Sequence, residues 1–274
     1  MDYCLEINKP KISVCQFKVG LDKIENLLKA RKYILDAINN GSNLIVLPEC
    51  FIGPYDVNLF EKYSEPVLLN DEVNSPSVYM LQKCSKENQE VYIFGGSIIE
   101  NDDGKLYNTC LVFYNGDLIA KYRKNNLYKI NMKEHSFCEG DILSPGINPT
   151  IVETKFGKIG LGICYDVRFP DLAKYYQIAG CKIIIYPGSF NRVTGPKHWK
   201  LLQQVRALDN LLYVVSCSTA CSFGSTFESY GKSFIISPWG DVLSETELDS
   251  EEIISKEIEI ENVNKYREIL PILN

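Results

Sequence analysis

One stretch constrains this chain more than any other: Gly160-Leu161-Gly162-Ile163-Cys164-Tyr165-Asp166-Val167-Arg168-Phe169-Pro170. The apolar run Ile159–Ile163 has the character of a buried strand, and it ends on a cysteine. Asp166, Arg168 and Pro170 follow at once and mark a turn, with Asp171 placed to cap the next helix. The chain thus passes from strand to helix at Cys164, at the carboxyl edge of a sheet, where open α/β sheets carry their ligand crevices. A free cysteine is usually an inert, buried hydrophobe. Among the 10 cysteines of the chain, Cys164 stands out because an edge turn can offer its thiol to a substrate.

The flanking sequence repeats one plan. Lys11–Lys18 alternates as a strand, and Ile24, Leu27, Leu28, Ile34, Leu35 and Ile38 recur at helical spacing across 22–39, which Asn40-Gly41 stops. Leu44–Leu47 is a short strand followed by Pro48-Glu49. A helix begins at Ser75-Pro76, and Gly95-Gly96 breaks the strand 91–99. Asn115-Gly116 predicts a hairpin, which leaves through Arg123-Lys124, and a loop-rich stretch runs on to Gly146. The second half offers strand 158–163, helix 171–179, strand 182–186, helix 196–209, strand 212–216, a hairpin at Trp239-Gly240-Asp241 and an alternating edge strand 253–260. Two sheets packed face to face with helices outside would bury both halves, and no Gly/Ser/Pro linker divides them.

Composition excludes several classes. A net charge of −6 argues against a general nucleic-acid surface. No apolar run approaches the length of a membrane span, and the first residues lack the basic and apolar regions of a secretory signal. The cysteines are scattered without a CxxC pair, which fits reduced thiols better than a disulfide framework. His135 and His198 have no metal-ligand spacing near a cysteine, so neither a metal nor another cofactor is expected.

A cysteine nucleophile needs a base or a positive charge beside it. Neither histidine follows a strand end, but Glu49 and Lys124 each do. Three strands therefore deliver an acid, an amine and a thiol to sheet ends.

Leu47-Pro48-Glu49-Cys50-Phe51, Tyr122-Arg123-Lys124 and the block from Gly162 to Pro170 resemble the three signature blocks of the carbon–nitrogen hydrolase (nitrilase) superfamily. The resemblance covers nearly the whole chain. It implies an α/β fold, a four-layer αββα sandwich, with residues 1–274 as a single domain. It also implies a triad of Glu49 as general base, Lys124 as oxyanion stabiliser and proton donor, and Cys164 as nucleophile, with Glu139 supporting Lys124. Tyr186–Asn191, Thr194–Trp199 and Arg206–Asn210 resemble the omega-amidase branch. That branch hydrolyses the terminal amide of short dicarboxylate monoamides such as 2-oxoglutaramate and 2-oxosuccinamate through a cysteine thioester. Tyr55, Tyr165, Phe190, Asn191 and Thr194 are the expected pocket residues.

Arg168 and Arg192 are candidates for the substrate carboxylate, although Arg168 also suits an ion pair with Asp166 that braces the turn. The sequence departs from the branch after Lys124, where Ile-His-Leu-Phe-Asp is typical and Asn125-Asn126-Leu127-Tyr128-Lys129 stands. Other acyl groups remain open: deaminated glutathione, a carbamoyl amide or a nitrile. So does a non-catalytic interaction protein on the same sandwich, though retention of all three triad residue types speaks against it. The resemblance further implies a homodimer, formed through the helices after the nucleophile and the apolar tail Ile269–Leu273, and a cytoplasmic location with a mitochondrial pool left open. The expected partners are a small-molecule amide and water, with neither nucleic acid nor membrane.

Overall fold

The computed structural model describes residues 9–132, 135–221 and 227–272. Cys4 and Leu273 lie outside the described residues. The first strand, Lys11–Gln16, leads to the helix Lys23–Asn39, whose Asp22 cap accepts the N–H groups of Ile24 and Glu25. The buried stripe of this helix is Leu27, Ala30, Ile34 and Ala37; Ile24 and Leu28, expected on the apolar face, are exposed.

Seven strands form one sheet in the order Glu252–Glu257, Lys11–Gln16, Leu44–Val46, Tyr92–Phe94, Lys105–Tyr114, Ile98–Asp102, with Asp117–Arg123 also paired to Lys105–Tyr114. Six strands form a second: Val242–Glu245, Phe234–Ile236, Tyr213–Ser218, Ile183–Gly188, Gly157–Leu161, Ile151–Thr154. The alternation of side chains assigns the layers. Ile12, Val14, Leu44, Val46, Tyr92 and Phe94 pack into one core with Ile159, Leu161 and Ile183–Ile185 of the other sheet. Their neighbours Cys15, Ile45, Leu47 and Ile93 face the opposite way, onto Leu27, Ile34, Val78 and Leu81 of the helices Lys23–Asn39 and Pro76–Glu87. The helices Pro170–Ile178 and Gly195–Asn210 flank the second sheet. Helix, sheet, sheet and helix therefore stack in four layers, the expected α/β sandwich.

The alternating edge strand does lie at a sheet edge: Glu252–Glu257 crosses back and pairs antiparallel with Lys11–Gln16. Other local expectations change. The stretch expected as loop contains a hairpin, Lys129–Met132 with His135–Cys138, and a single 3-10 turn, Glu139–Asp141. Asp171 is not a cap. Phe169 occupies that position without a side-chain bond, and Pro170 starts the helix because its ring already holds a helical φ. Asp171 sits in the first turn, where the helix dipole favours a carboxylate. The apolar tail begins inside a further helix, Glu261–Ile269. The nine described cysteines are free, and no described helix is long and apolar enough to cross a membrane.

Candidate active site

Three turns at sheet ends carry the candidate side chains Glu49, Lys124 and Cys164. Glu49 follows the strand Leu44–Val46, and its turn rests on the break at Gly95-Gly96. Gly96 has φ +57°, and a Cβ there would lie 2.0 Å from the Pro48 carbonyl oxygen, so only glycine allows this approach. Ser97 then donates its N–H to that carbonyl, while its hydroxyl accepts the Cys50 N–H at 2.9 Å. Lys124 leaves the strand Asp117–Arg123 and is held on both sides, its N–H on Asn108 O and its carbonyl under the Gly146 N–H, each at 2.8 Å. Cys164 opens a 3-10 turn, Cys164–Arg168, with φ +47°. Left-handed backbone at a non-glycine residue costs about 1–3 kcal/mol and persists only where the surroundings impose it.

The three side chains meet inside the protein, and Glu139 joins them. Lys124 Nζ lies 2.9 Å from Glu49 Oε1 and 2.9 Å from Glu139 Oε2, with all three side chains fully buried. Asn108 donates to Glu49 Oε1 at 2.9 Å. Glu139 accepts the Tyr55 hydroxyl at 2.6 Å and the Tyr128 N–H at 2.5 Å, so its oxygens are committed. Glu49 Oε2 is buried without a hydrogen bond of ordinary geometry, and the Cys164 thiol is close enough to interact with this carboxyl.

Burial raises the Glu49 pKa, Lys124 opposes the rise and Glu139 adds to it. The Cys164 thiol is held well above its usual range by burial and by Glu49, against the pull of Lys124 and a Ser189 N–H. Burial alone would lower Lys124, but Glu139 and Glu49 hold it well above the ordinary lysine value. The resting site therefore pairs a neutral thiol with an ammonium between two carboxyls. It can pass a proton from sulfur to carboxylate as the sulfur attacks.

Cys164 opens onto a small pocket. Tyr55, Tyr165, Phe190, Asn191 and Thr194 line it. Tyr128 and Ser189 also line it, although neither was singled out from the sequence. Arg168 is not a wall. Its guanidinium stacks over the rings of Tyr165 and Phe190 and shares His198 Nδ1 between its two terminal nitrogens at 3.2 Å. No carboxylate pairs with it among the described residues, so the ion pair with Asp166 does not form. Arg192 is exposed; it lies 3.9 Å from Glu228 and donates to Cys221 Sγ.

The carbon–nitrogen hydrolase profile matches residues 11–268. The chain belongs to the carbon–nitrogen hydrolase family. It is 42% identical over 266 residues to the omega-amidase NIT2 of Xenopus tropicalis, spanning 96% of this chain and 94% of that protein. The human omega-amidase NIT2 is 38% identical over 264 residues, 96% of this chain and 93% of that protein. The crystal structure of Saccharomyces cerevisiae Nit3, of the nitrilase superfamily, superposes with a TM-score of 0.87 at 39% identity, covering 97% of this chain and 96% of that one.

Within this carbon–nitrogen hydrolase, Asp166 couples the lysine and cysteine turns. One oxygen accepts the Tyr122 hydroxyl at 2.8 Å and the Ile163 N–H at 2.9 Å; the other accepts the N–H and side-chain amide of Asn126, both at 2.9 Å. The loop residue Asn126, a departure from the typical branch sequence, thus ties 122–126 to 163–166. No spacing in the sequence signals this bond, because its partners are 40 residues apart. Ser189 did carry a signal, since it sits inside the block Tyr186–Asn191 that resembles the branch; Tyr128 lies in the stretch that departs from it.

Proposed function

We propose that the chain is an omega-amidase, hydrolysing the terminal amide of a short dicarboxylate monoamide such as 2-oxoglutaramate or 2-oxosuccinamate. The observation that carries this reading is the buried cluster of Cys164, Glu49 and Lys124 at one small pocket. The likeness to omega-amidases over nearly the whole chain favours a short dicarboxylate monoamide over deaminated glutathione.

Glu49 takes the proton of Cys164 as the sulfur attacks the amide carbon. Lys124 and the N–H following Cys164 stabilise the oxyanion, a contribution of about 3–4 kcal/mol per donor. The proton passes from Glu49 to the departing nitrogen, ammonia leaves, and a thioester remains. Glu49 then takes a proton from water as it attacks the thioester. The thiolate departs and recovers that proton, and the acid is released. Glu139 fixes Lys124. Arg168, stacked on two pocket rings and without a carboxylate partner among the described residues, supplies positive potential for the substrate carboxylate.

Ammonia release from 2-oxoglutaramate, measured beside deaminated glutathione, tests the substrate class; a preference for the latter overturns it. Cys164→Ala eliminates turnover and leaves thermal melting unchanged, and retained activity would overturn the mechanism. The core that runs between both sheets supports one domain over 1–274. We also propose a cytoplasmic homodimer. Tyr175, Ile178, Leu201 and Leu208 on the helices after the nucleophile, with Ile269 and Leu270, present apolar surface to solvent. Light scattering returns twice the 31.2 kDa chain mass, whereas a monomer mass refutes pairing.

A further inference from the structure

The amide of Asn191 can point only one way. Its Oδ1 accepts from the Val193 N–H at 3.0 Å, the Thr194 N–H at 2.9 Å and the Thr194 hydroxyl at 3.1 Å. Two of these donors are backbone groups that cannot accept, so a flipped amide would set N–H against N–H. The Nδ2 is thereby obliged to face the Tyr128 hydroxyl, 2.5 Å away. A donor-only group on that side makes the phenolic oxygen an acceptor, and the phenol's own hydrogen is left to point elsewhere. Tyr128 and Asn191 both line the pocket with Cys164. Burial pushes the phenol up to about 12, so it keeps its proton at neutral pH. No described protein group accepts that proton, and the Arg168 charge acts on the same hydroxyl.

We infer that Tyr128 is a specificity-determining residue, its hydroxyl donating to an oxygen of the substrate's acyl chain beyond the scissile carbonyl. The relay runs from the turn 191–194 through the Asn191 amide to Tyr128 Oη and on to the substrate. It selects acyl groups that carry an acceptor at their far end, a 2-oxo or carboxylate oxygen, over purely aliphatic ones. An aliphatic amide would leave the hydroxyl dry and unpaired, which is the costly direction of a hydrogen-bond mismatch. The ring of Tyr128 is fixed independently: it packs edge-on against Tyr165 and tilted against Phe137, and its backbone N–H is tied to Glu139. Removing the hydroxyl therefore changes the donor and not the wall.

This inference rests on the omega-amidase reading, and its test separates the two. The quantity measured is the ratio of kcat/KM on 2-oxoglutaramate to that on pentanamide. In Tyr128→Phe this ratio falls by about tenfold to a hundredfold, the usual worth of a hydrogen bond to a charged or strongly polar group. The loss on the oxoacid amide appears mainly in KM. An unchanged ratio overturns the inference, whether both rates fall together or neither does. Binding provides a readout without turnover: 2-oxoglutarate binds Cys164→Ala, and adding Tyr128→Phe weakens that binding by the same factor. If the intact protein hydrolyses neither amide, the omega-amidase reading fails. Equal 2-oxoglutarate affinity in the two Cys164→Ala proteins, or no binding to either, then overturns the Tyr128 assignment on its own.

Discussion

The thiol of Cys164 is buried beside a carboxyl, and both facts keep it protonated at rest. In the proposed mechanism the attacking sulfur is activated only when Glu49 removes its proton, so the ionisation of Glu49 governs the acid side of the pH profile. Burial, opposed by Lys124 and reinforced by Glu139, holds the Glu49 pKa above 4.5. A base is lost as pH falls through its pKa, so the acid limb of kcat/KM lies above pH 4.5. Glu139→Gln removes one of the charges that raise Glu49. The limb then moves to lower pH while kcat falls, because Lys124 loses one of its two carboxylate partners. A pH–rate profile of the two proteins checks the direction, and a shift to higher pH refutes it. The residue types were legible in the sequence because each followed a strand. Their electrostatics were not, because burial and neighbours across the fold set every one of these shifts.

At the scale of elements, catalytic precision depends on turns. Asp166 accepts four donors with two oxygens, a pattern that an amide cannot reproduce. Asp166→Asn sets an NH₂ group against donors. It destabilises the fold by about 1–3 kcal/mol and lowers kcat, since Cys164 and Lys124 lose their common tether. Urea denaturation beside steady-state kinetics measures both effects, and a variant matching the parent in each removes Asp166 from the design. Strands and long helices were readable from period and breakers, within a few residues at most ends. The strand pair Lys129–Met132 with His135–Cys138 and the 3-10 turn Glu139–Asp141 were not: they are short, and tertiary contacts rather than periodicity hold them, such as the Tyr128 and Glu139 bonds.

Across the whole molecule, Gln16 joins the two sheets. From the first sheet its amide donates to the carbonyls of Glu247 and Ser250, and its Oε1 accepts the hydroxyls of Ser233 at 2.9 Å and Thr246 at 2.7 Å. Gln16→Leu leaves those buried hydroxyls without their acceptor and costs about 2–4 kcal/mol. The shift in the denaturation midpoint reads this, and an unchanged midpoint contradicts it. A second clasp is the return of Glu252–Glu257 to the first strand, where Ser255 and Ser13 share a hydrogen bond at 2.6 Å.

Periodicity and contiguous blocks, both local properties of a chain, were enough for the layered α/β plan, for the family and for naming Glu49, Lys124, Cys164 and Glu139 as candidates. Only the tertiary structure decided the rest. It left Arg168 without Asp166, bound Asp166 to Asn126, sent the final strand to the opposite sheet and turned Tyr128 toward the pocket. Each of these depends on which distant groups compete for the same donor, acceptor or strand edge, and that competition exists only once the chain has folded.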